Sequence, residues 1–540
     1  MDLASPPSSQ GLRVSEERQV ARRAGLVGSA TLLSRVLGLV REQVMASWFG
    51  AGFATDAFNV AFRIPNLLRD LFAEGAMSSA FVPTFTEYQE LRGTPQAWEF
   101  GRQLIVTLAA VLLGVCVVGW VGSPWLVRAF APGFDAVPGK LGLTVLLTNV
   151  MLPFLPLVAV AAVCMGMLNA NHRFAVPALA PALLNLLMIA VGLALIPVCE
   201  RFGQPPILAM AIGVVVGGIG QFVVQLPALG RLGFRLTFEW PRPHPGVRRV
   251  ATLMLPATIG LAATQMNLFF STLIASLLPQ GSVSWLWYAF RLMQLPIGVF
   301  GVALGTVSLP SLARAAVAKD LPALKTTLSA TLRLVFLLTV PSALWLAVAA
   351  RPVIALLYQH GRFGDHDTAQ TAGALVMYCI GLPAFAAVTV LTRTFYALGD
   401  TRTPVRASFV SVGINIALNL ALMRPLGHFG LALATALTSI VNFGQLSWSL
   451  RRKIGPLEGR RMAQTVLRVG LASLVTCTMC GFVLRALDHG GGGWRRLEIV
   501  ALLATLAIGI GYPMLKLLRV EEIAVVDDLL RGIRRRALGR

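Results

Sequence analysis

Apolar windows of ~20 residues, each long enough to cross a bilayer as a helix, follow one another along almost the whole chain. Fourteen can be placed, at about 25–49, 54–84, 103–127, 141–169, 174–198, 207–229, 247–277, 284–313, 330–350, 369–397, 404–424, 428–450, 465–487 and 497–518. Of 540 residues, 56% are hydrophobic and 13% charged, against about 25% charged in soluble domains. The chain therefore reads as an all-α polytopic membrane protein with fourteen transmembrane helices.

A net charge of +22 would suggest nucleic acid in a soluble chain. Here the basic residues cluster in short loops between apolar segments, the signature of inner-side loops, which argues against a nucleic-acid partner. Arg13, Arg18, Arg22 and Arg23 precede the first span; Arg231, Arg235, Arg242, Arg248 and Arg249 follow the sixth; Arg451, Arg452, Lys453, Arg460 and Arg461 follow the twelfth. This alternation places both termini in the cytoplasm. The opening residues are polar, contain Pro6-Pro7 and lack the apolar core of a cleaved signal peptide. Residues 1–24 are expected to be a disordered cytoplasmic tail and 519–540 a basic one.

The stretch Thr31–Glu87 breaks the apolar pattern. Two segments of spanning length, joined by Gly50-Ala51-Gly52, carry Arg35, Arg41, Glu42, Asp56, Arg63, Arg69, Asp70 and Glu74. Each charge near a bilayer centre costs at least ~2.5–3.5 kcal/mol, so the set is expected to line a protein-enclosed, hydrated cavity. At ~100° per residue, Asp56, Arg63, Asp70 and Glu74 fall on one helical stripe; Arg69 points away unless Pro65 kinks the helix. Arg35 and Glu42 share a face, with Arg41 off it. The plainer reading is internal ion pairing. It fits poorly, because Arg41 with Glu42, or Arg69 with Asp70, cannot both serve one face.

An internal repeat organises the rest. Ala61-Phe62-Arg63 recurs as Ala289-Phe290-Arg291, Pro83 corresponds to Pro310, and the Asn169–Pro177 turn with Asn185 corresponds to Leu398–Pro404 with Asn415. Spans one to six and seven to twelve are then two copies of one unit. An even number of spans per copy sets a pseudo-two-fold axis along the membrane normal, with a central cavity between two six-helix lobes. Spans thirteen and fourteen are extra. The expected organisation is an N-lobe over 25–229, a cytoplasmic linker over 230–246, a C-lobe over 247–450, a cytoplasmic loop over 451–464 and an additional pair over 465–518. Arginines outnumber acids among the charges that would line the cavity. Such a cavity suits an anion, and guanidinium forks suit phosphate in particular.

The segments LLSRVLGLVRE, FGAGFATDAFNVAFRIPNLLRDLFAEGAMSSAFVP, SVSWLWYAFRLMQLPIGVFGVALGTVSLPSL and YALGDTRTPV resemble the MurJ (MviN) family of lipid II flippases over about residues 24 to 520. The resemblance implies the fourteen-helix fold of the superfamily that includes multidrug and oligosaccharide-lipid exporters. It implies as substrate an undecaprenyl pyrophosphate bearing a disaccharide-pentapeptide, moved from the inner to the outer leaflet of the bacterial cytoplasmic membrane. The family's functional positions look like Arg35, Arg41, Asp56, Arg69, Glu74 and Arg291 here, with Arg63 added by the stripe argument. The last two helices would form an apolar groove for the polyprenyl tail. Partners would be membrane lipids and, as candidates, cell-wall synthesis or division proteins.

Other readings are weaker. No Asp or Glu lies within spans seven or eleven, so sodium coupling of the kind some relatives use is not expected. Proton coupling through Asp56 or Glu74, or use of the membrane potential, stays open. An exporter of another polyprenyl-linked glycan would recognise phosphate in the same way. A multidrug extruder of cations would need an acidic cavity. A membrane glycosyltransferase or polymerase would need catalytic carboxylates, and Asp135 and Glu200 are isolated. His360, Asp365, His366 and Asp367 match no metal-ligand spacing and read as solvated loop. Cys477 and Cys480 form a CxxC inside an apolar helix and read as small packing residues, as do Gly217, Gly218 and Gly220. The chain reads as a non-enzyme without metal or cofactor.

Overall fold

The computed structural model describes residues 9–70, 75–237, 239–487, 493–524, 527, 528 and 531. Among them are twenty α-helices and no strand. The first eleven are α1 (Ser9–Phe49), α2 (Phe53–Arg69), α3 (Gly75–Arg92), α4 (Thr94–Val121), α5 (Ser123–Phe130), α6 (Lys140–Met151), α7 (Phe154–Ala170), α8 (Ala175–Arg201), α9 (Leu208–Val223), α10 (Leu226–Gly230) and α11 (Pro245–Ser276). There follow α12 (Ser282–Pro296), α13 (Ala303–Val317), α14 (Leu321–Val348), α15 (Ala350–Tyr358), α16 (Asp365–Ala397), α17 (Arg402–Leu426), α18 (His428–Ile454), α19 (Gly459–Leu487) and α20 (Gly493–Leu517).

Eleven helical segments among the described residues are long and apolar enough to cross a membrane. The windows read at 25–49, 54–84 and 247–277 are not among them. The side chains of residues 9–26, which include the start of the first window, lie outside the described set. The second is divided between α2 and α3, and residues 71–74 lie outside the described set. The third forms the single helix α11, several of whose side chains are also outside that set.

Two compact units emerge: Met1–Met45 with Phe53–Gln265, and Ala46–Gly52 with Met266–Arg540. In unit 1 the core is an aromatic stack from α3 and α4. Phe81 lies 5.4 Å from Phe85 and 5.5 Å from Phe100 between ring centroids, and Met167 and Cys164 of α7 close the cluster. Offset and tilted rings at this spacing add to area burial. Against it, α8 and α9 pack backbone to backbone. A Cβ on Gly213 would meet the Met188 carbonyl at 2.8 Å, and one on Gly217 would meet the Leu184 carbonyl at 2.8 Å. The glycine run is tight helix packing, as its small-residue spacing suggests.

Unit 2 is built on α14, α16 and α18, whose Leu324, Leu328, Leu332, Val390, Leu391, Phe395, Leu446 and Leu450 form its main core cluster. Polar caps set the ends. Asp320 accepts the Ala323 N–H at 3.0 Å at the start of α14, and Asp400 accepts the Thr403 N–H at 3.0 Å at the start of α17, each satisfying an orphan donor of the first turn. Between α12 and α13 the chain makes a π-helical stretch over Ile297–Val302, directly after Pro296. Widened turns of this kind loosen the backbone ladder. Arg393 of α16 answers for one carbonyl there: its Nη1 donates to Val302 O at 3.1 Å and also to Thr306 Oγ1.

Candidate functional site

The charges of α1 and α2 gather in unit 1, and each described carboxylate of the set is engaged by a cation. Arg41 forks between two acceptors: Nη1 donates to Asn185 Oδ1 at 3.1 Å and Nη2 to Glu42 Oε1 at 2.9 Å. Glu42 is 3% exposed and the Arg41 side chain 11%. Asn185 sits on α8, and its amide donates to Pro181 O at 3.1 Å and Ser34 O at 3.4 Å, which fixes its oxygen toward the guanidinium. Farther along, Arg69 holds Asp70 Oδ1 through Nε at 3.2 Å and Nη2 at 2.8 Å. Gln265 of α11 donates to the other Asp70 oxygen at 3.3 Å.

Adjacent residues thus pair after all, contrary to the expectation that they could not serve one face. The arginine stem is long enough to bring its fork round the helix to the neighbouring carboxylate. An acceptor from another helix, Asn185, then holds the other terminal nitrogen of Arg41, Nη1.

Asp56 is deeper. Lys140, the first residue of α6, places Nζ 2.9 Å from its Oδ2, with both side chains buried. The same ammonium lies 4.2 Å from the Phe134 ring centroid, a cation–π contact. Sequence reasoning missed Lys140. A single lysine at the edge of an apolar window looks like a loop charge, and its partner is eighty-four positions away.

Arg63 is half-buried on α2 and engaged, while Arg35 is exposed on α1 without a partner among the described residues. Glu74 lies outside the described residues. Arg291, exposed near the end of α12, belongs to unit 2.

The cluster read as solvated loop instead opens a helix: Asp365, His366 and Asp367 form the first turn of α16, and their side chains are dispersed into other bonds. Asp365 pairs with Arg351 at 3.1 Å, Asp367 accepts the Trp285 indole N–H at 2.9 Å, and His366 meets Trp285 edge-on. No group of three potential metal ligands occurs among the described residues. Cys477 and Cys480 are buried in α19.

An all-helical chain with many membrane-length segments, two compact units and arginines paired inside an otherwise apolar bundle defines a polytopic membrane protein of the transporter type. The family model described as "Lipid II flippase MurJ" matches residues 45–494. A lipid II flippase MurJ of Burkholderia cenocepacia is 40% identical over 431 residues, covering 79% of this chain and 83% of that one. A probable lipid II flippase MurJ of Vibrio cholerae is 36% identical over 482 residues, covering 88% and 90%. A solved structure of lipid II flippase MurJ in an inward closed conformation superposes with a TM-score of 0.76 at 25% identity, covering 91% of this chain and 99% of that one. An inward-facing multidrug resistance MATE transporter shares the fold, with a TM-score of 0.63 at 13% identity over 80% and 98%. The chain belongs to the MurJ lipid II flippase family.

Proposed function

We propose that the protein flips lipid II, the undecaprenyl pyrophosphate carrying a disaccharide-pentapeptide, from the inner to the outer leaflet of the cytoplasmic membrane. It does so by alternating access through a cationic cavity lined by Arg35, Arg41, Asp56, Arg63, Arg69, Glu74 and Arg291. The architecture in this reading is fourteen transmembrane helices: an N-lobe over 25–229, a C-lobe over 247–450 and a tail-binding pair over 465–518, with both termini cytoplasmic.

The observation that carries the reading is the charge inventory of unit 1. Its described acids Glu42, Asp56 and Asp70 are each engaged by a cation, while Arg35 is exposed with no partner among the described residues. A guanidinium left over in this way serves an anion from outside the chain, and a pyrophosphate offers the matching oxygens. The polyprenyl tail lies along α19 and α20. Only 6% of the apolar window of α20 is buried within the chain, so that helix keeps its surface for hydrocarbon. The membrane potential drives the outward passage of the anion, at ~2.3 kcal/mol per charge for ~100 mV.

The test is complementation in cells depleted of their own lipid II flippase, read as precursor exposed on the outer leaflet. Wild type restores exposure, and Arg35→Ala or Arg291→Ala abolishes it at normal levels of inserted protein. Good insertion without exposure would assign the chain to another polyprenyl-linked glycan. Unchanged export after collapse of the membrane potential would remove the driving force named here.

A further inference from the structure

Unit 1 also holds a cleft that takes no part in these charge pairs. Its volume is about 850 Å³, and its walls are Thr107 of α4, the strap from Pro241 to His244, and the first turns of α11 as far as Thr252. A second hollow of about 250 Å³ shares Pro245 and Arg249 with it and adds Glu87, Tyr88, Leu91 and Arg92 from the end of α3.

The strap is fastened in place. Gln103, only 3% exposed, donates to Glu239 Oε2 at 3.1 Å and accepts the Arg242 N–H at 3.1 Å. Arg102 Nη1 reaches Thr237 Oγ1 at 3.4 Å. The His244 ring stacks on Phe100 with centroids 5.5 Å apart, and its Nδ1 accepts the Gly246 N–H at 3.1 Å. That leaves Nε2 to carry the ring proton as a donor.

The cations around the cleft exceed the acids. Arg249 is matched by Glu87 at 2.8 Å, and Arg92 lies 4.5 Å from the Tyr88 ring centroid. Among the described residues no carboxylate pairs with Arg242 or Arg248, both of which are exposed. Beside them stand apolar side chains that water does not favour: Leu91 is 77% exposed and Trp240 78%. Exposed tryptophan next to arginine is the composition of a membrane–water boundary. Gln103 and Thr107 lie within the membrane-length segment Thr94–Phe130, which α4 opens. Thr107 lies about one turn, ~6 Å, beyond Gln103, and its hydroxyl is buried with no hydrogen-bond partner among the described residues.

Unpaired guanidinium groups at the mouth, an unpartnered hydroxyl one turn in and an apolar helix beyond follow the order of an amphiphile: phosphate, glycerol ester, acyl chain. We propose that this cleft binds an anionic phospholipid of the membrane, its phosphate between Arg242, Arg248 and His244, its ester oxygen on Thr107 and its chain along α4. Basic pockets at the ends of transmembrane helices recognise anionic headgroups in this way. The site is separate from the proposed path of lipid II and does not rest on it.

The test uses the purified full-length protein, exchanged in detergent against mixtures of phosphatidylglycerol and phosphatidylcholine. Retained lipid is counted by native mass spectrometry. Wild type retains phosphatidylglycerol in preference to phosphatidylcholine. Arg242→Gln with Arg248→Gln weakens retention ~25-fold, at about fivefold per arginine, while Arg242→Lys with Arg248→Lys restores most of it. Arg451→Gln with Arg452→Gln, in the basic last turn of α18, leaves retention unchanged. Thr107→Val keeps every charge and lowers retention severalfold, so the proposal stays testable if the double glutamine variant does not fold. Equal retention of both lipids, or unchanged retention in folded glutamine or valine variants, overturns the proposal. Displacement of phosphatidylglycerol by millimolar inorganic phosphate overturns it too, and gives the cleft to a free anion.

Discussion

Lys140 Nζ lies 2.9 Å from Asp56 Oδ2, and each side chain is 2% exposed. Two charges taken this far from solvent stabilise the fold only as a pair: removing one strands the other at a cost of ~3–5 kcal/mol, whereas replacing both with apolar residues is close to neutral. Lys140→Met therefore lowers the unfolding temperature sharply, and Asp56→Leu with Lys140→Met recovers most of the loss. Thermal unfolding of the purified protein, as a double-mutant cycle, measures the coupling. If Lys140→Met alone were neutral, Asp56 would not depend on it.

The Arg41 fork spans Asn185 and Glu42. A lysine carries a point charge and cannot hold two acceptors in one plane. Arg41→Lys is expected to insert normally yet cut lipid II export at least tenfold, and Asn185→Leu to act in the same direction by releasing the outer nitrogen. The readout is export per inserted molecule in complemented cells. Full export by both variants would show that the fork geometry does not matter for transport.

Gly213 and Gly217 predict a local asymmetry in tolerance. A methyl at either position meets a backbone carbonyl of α8 at 2.8 Å, and backbone cannot swing aside, so Gly217→Ala costs about 1–3 kcal/mol through overpacking. Gly470 in α19 faces open space, and Gly470→Ala stabilises by up to ~1 kcal/mol through helix propensity. Unfolding temperatures of the two alanine variants should move in opposite directions.

His244 gives a pH dependence with a definite sign. Burial lowers its pKa from 6.5; the Glu99 carboxylate pulls it back up in part, and the charge of Arg92 adds a smaller push downward. Its Nδ1 must stay unprotonated to accept the Gly246 N–H. The native state therefore binds its proton less readily than the unfolded chain. Its contribution is complete above 6.5 and declines as the pH falls through the lowered native value. His244→Gln should flatten that part of the stability profile. An identical decline in the variant would assign it to other groups.

Much of this was legible in the residues. Long apolar windows set the class, the glycine run set a helix contact, and the stripe from Asp56 to Asp70 marked a helix with business other than facing lipid. Hydropathy is local, and so are helical periodicities. Lys140 was invisible because its meaning comes from α2, far away in sequence. Gln265 and Asn185 were invisible as partners because an amide inside a span carries no charge signal. The adjacent pairs Arg41–Glu42 and Arg69–Asp70 were misjudged because a helical wheel places Cα positions, whereas a guanidinium acts several bonds beyond its own.

The π-helical stretch at Ile297–Val302 has a mechanical consequence. A loosened turn is ordinarily a joint, yet here Arg393 from α16 grips the Val302 carbonyl and the Thr306 hydroxyl across it, with Gly305 beneath the guanidinium, 3.2 Å from where its Cβ would stand. The joint is latched from a neighbouring rod. Flexing at this point either breaks the Arg393 grip or pulls α16 along, so the two helices work as a lever with its tie rod attached.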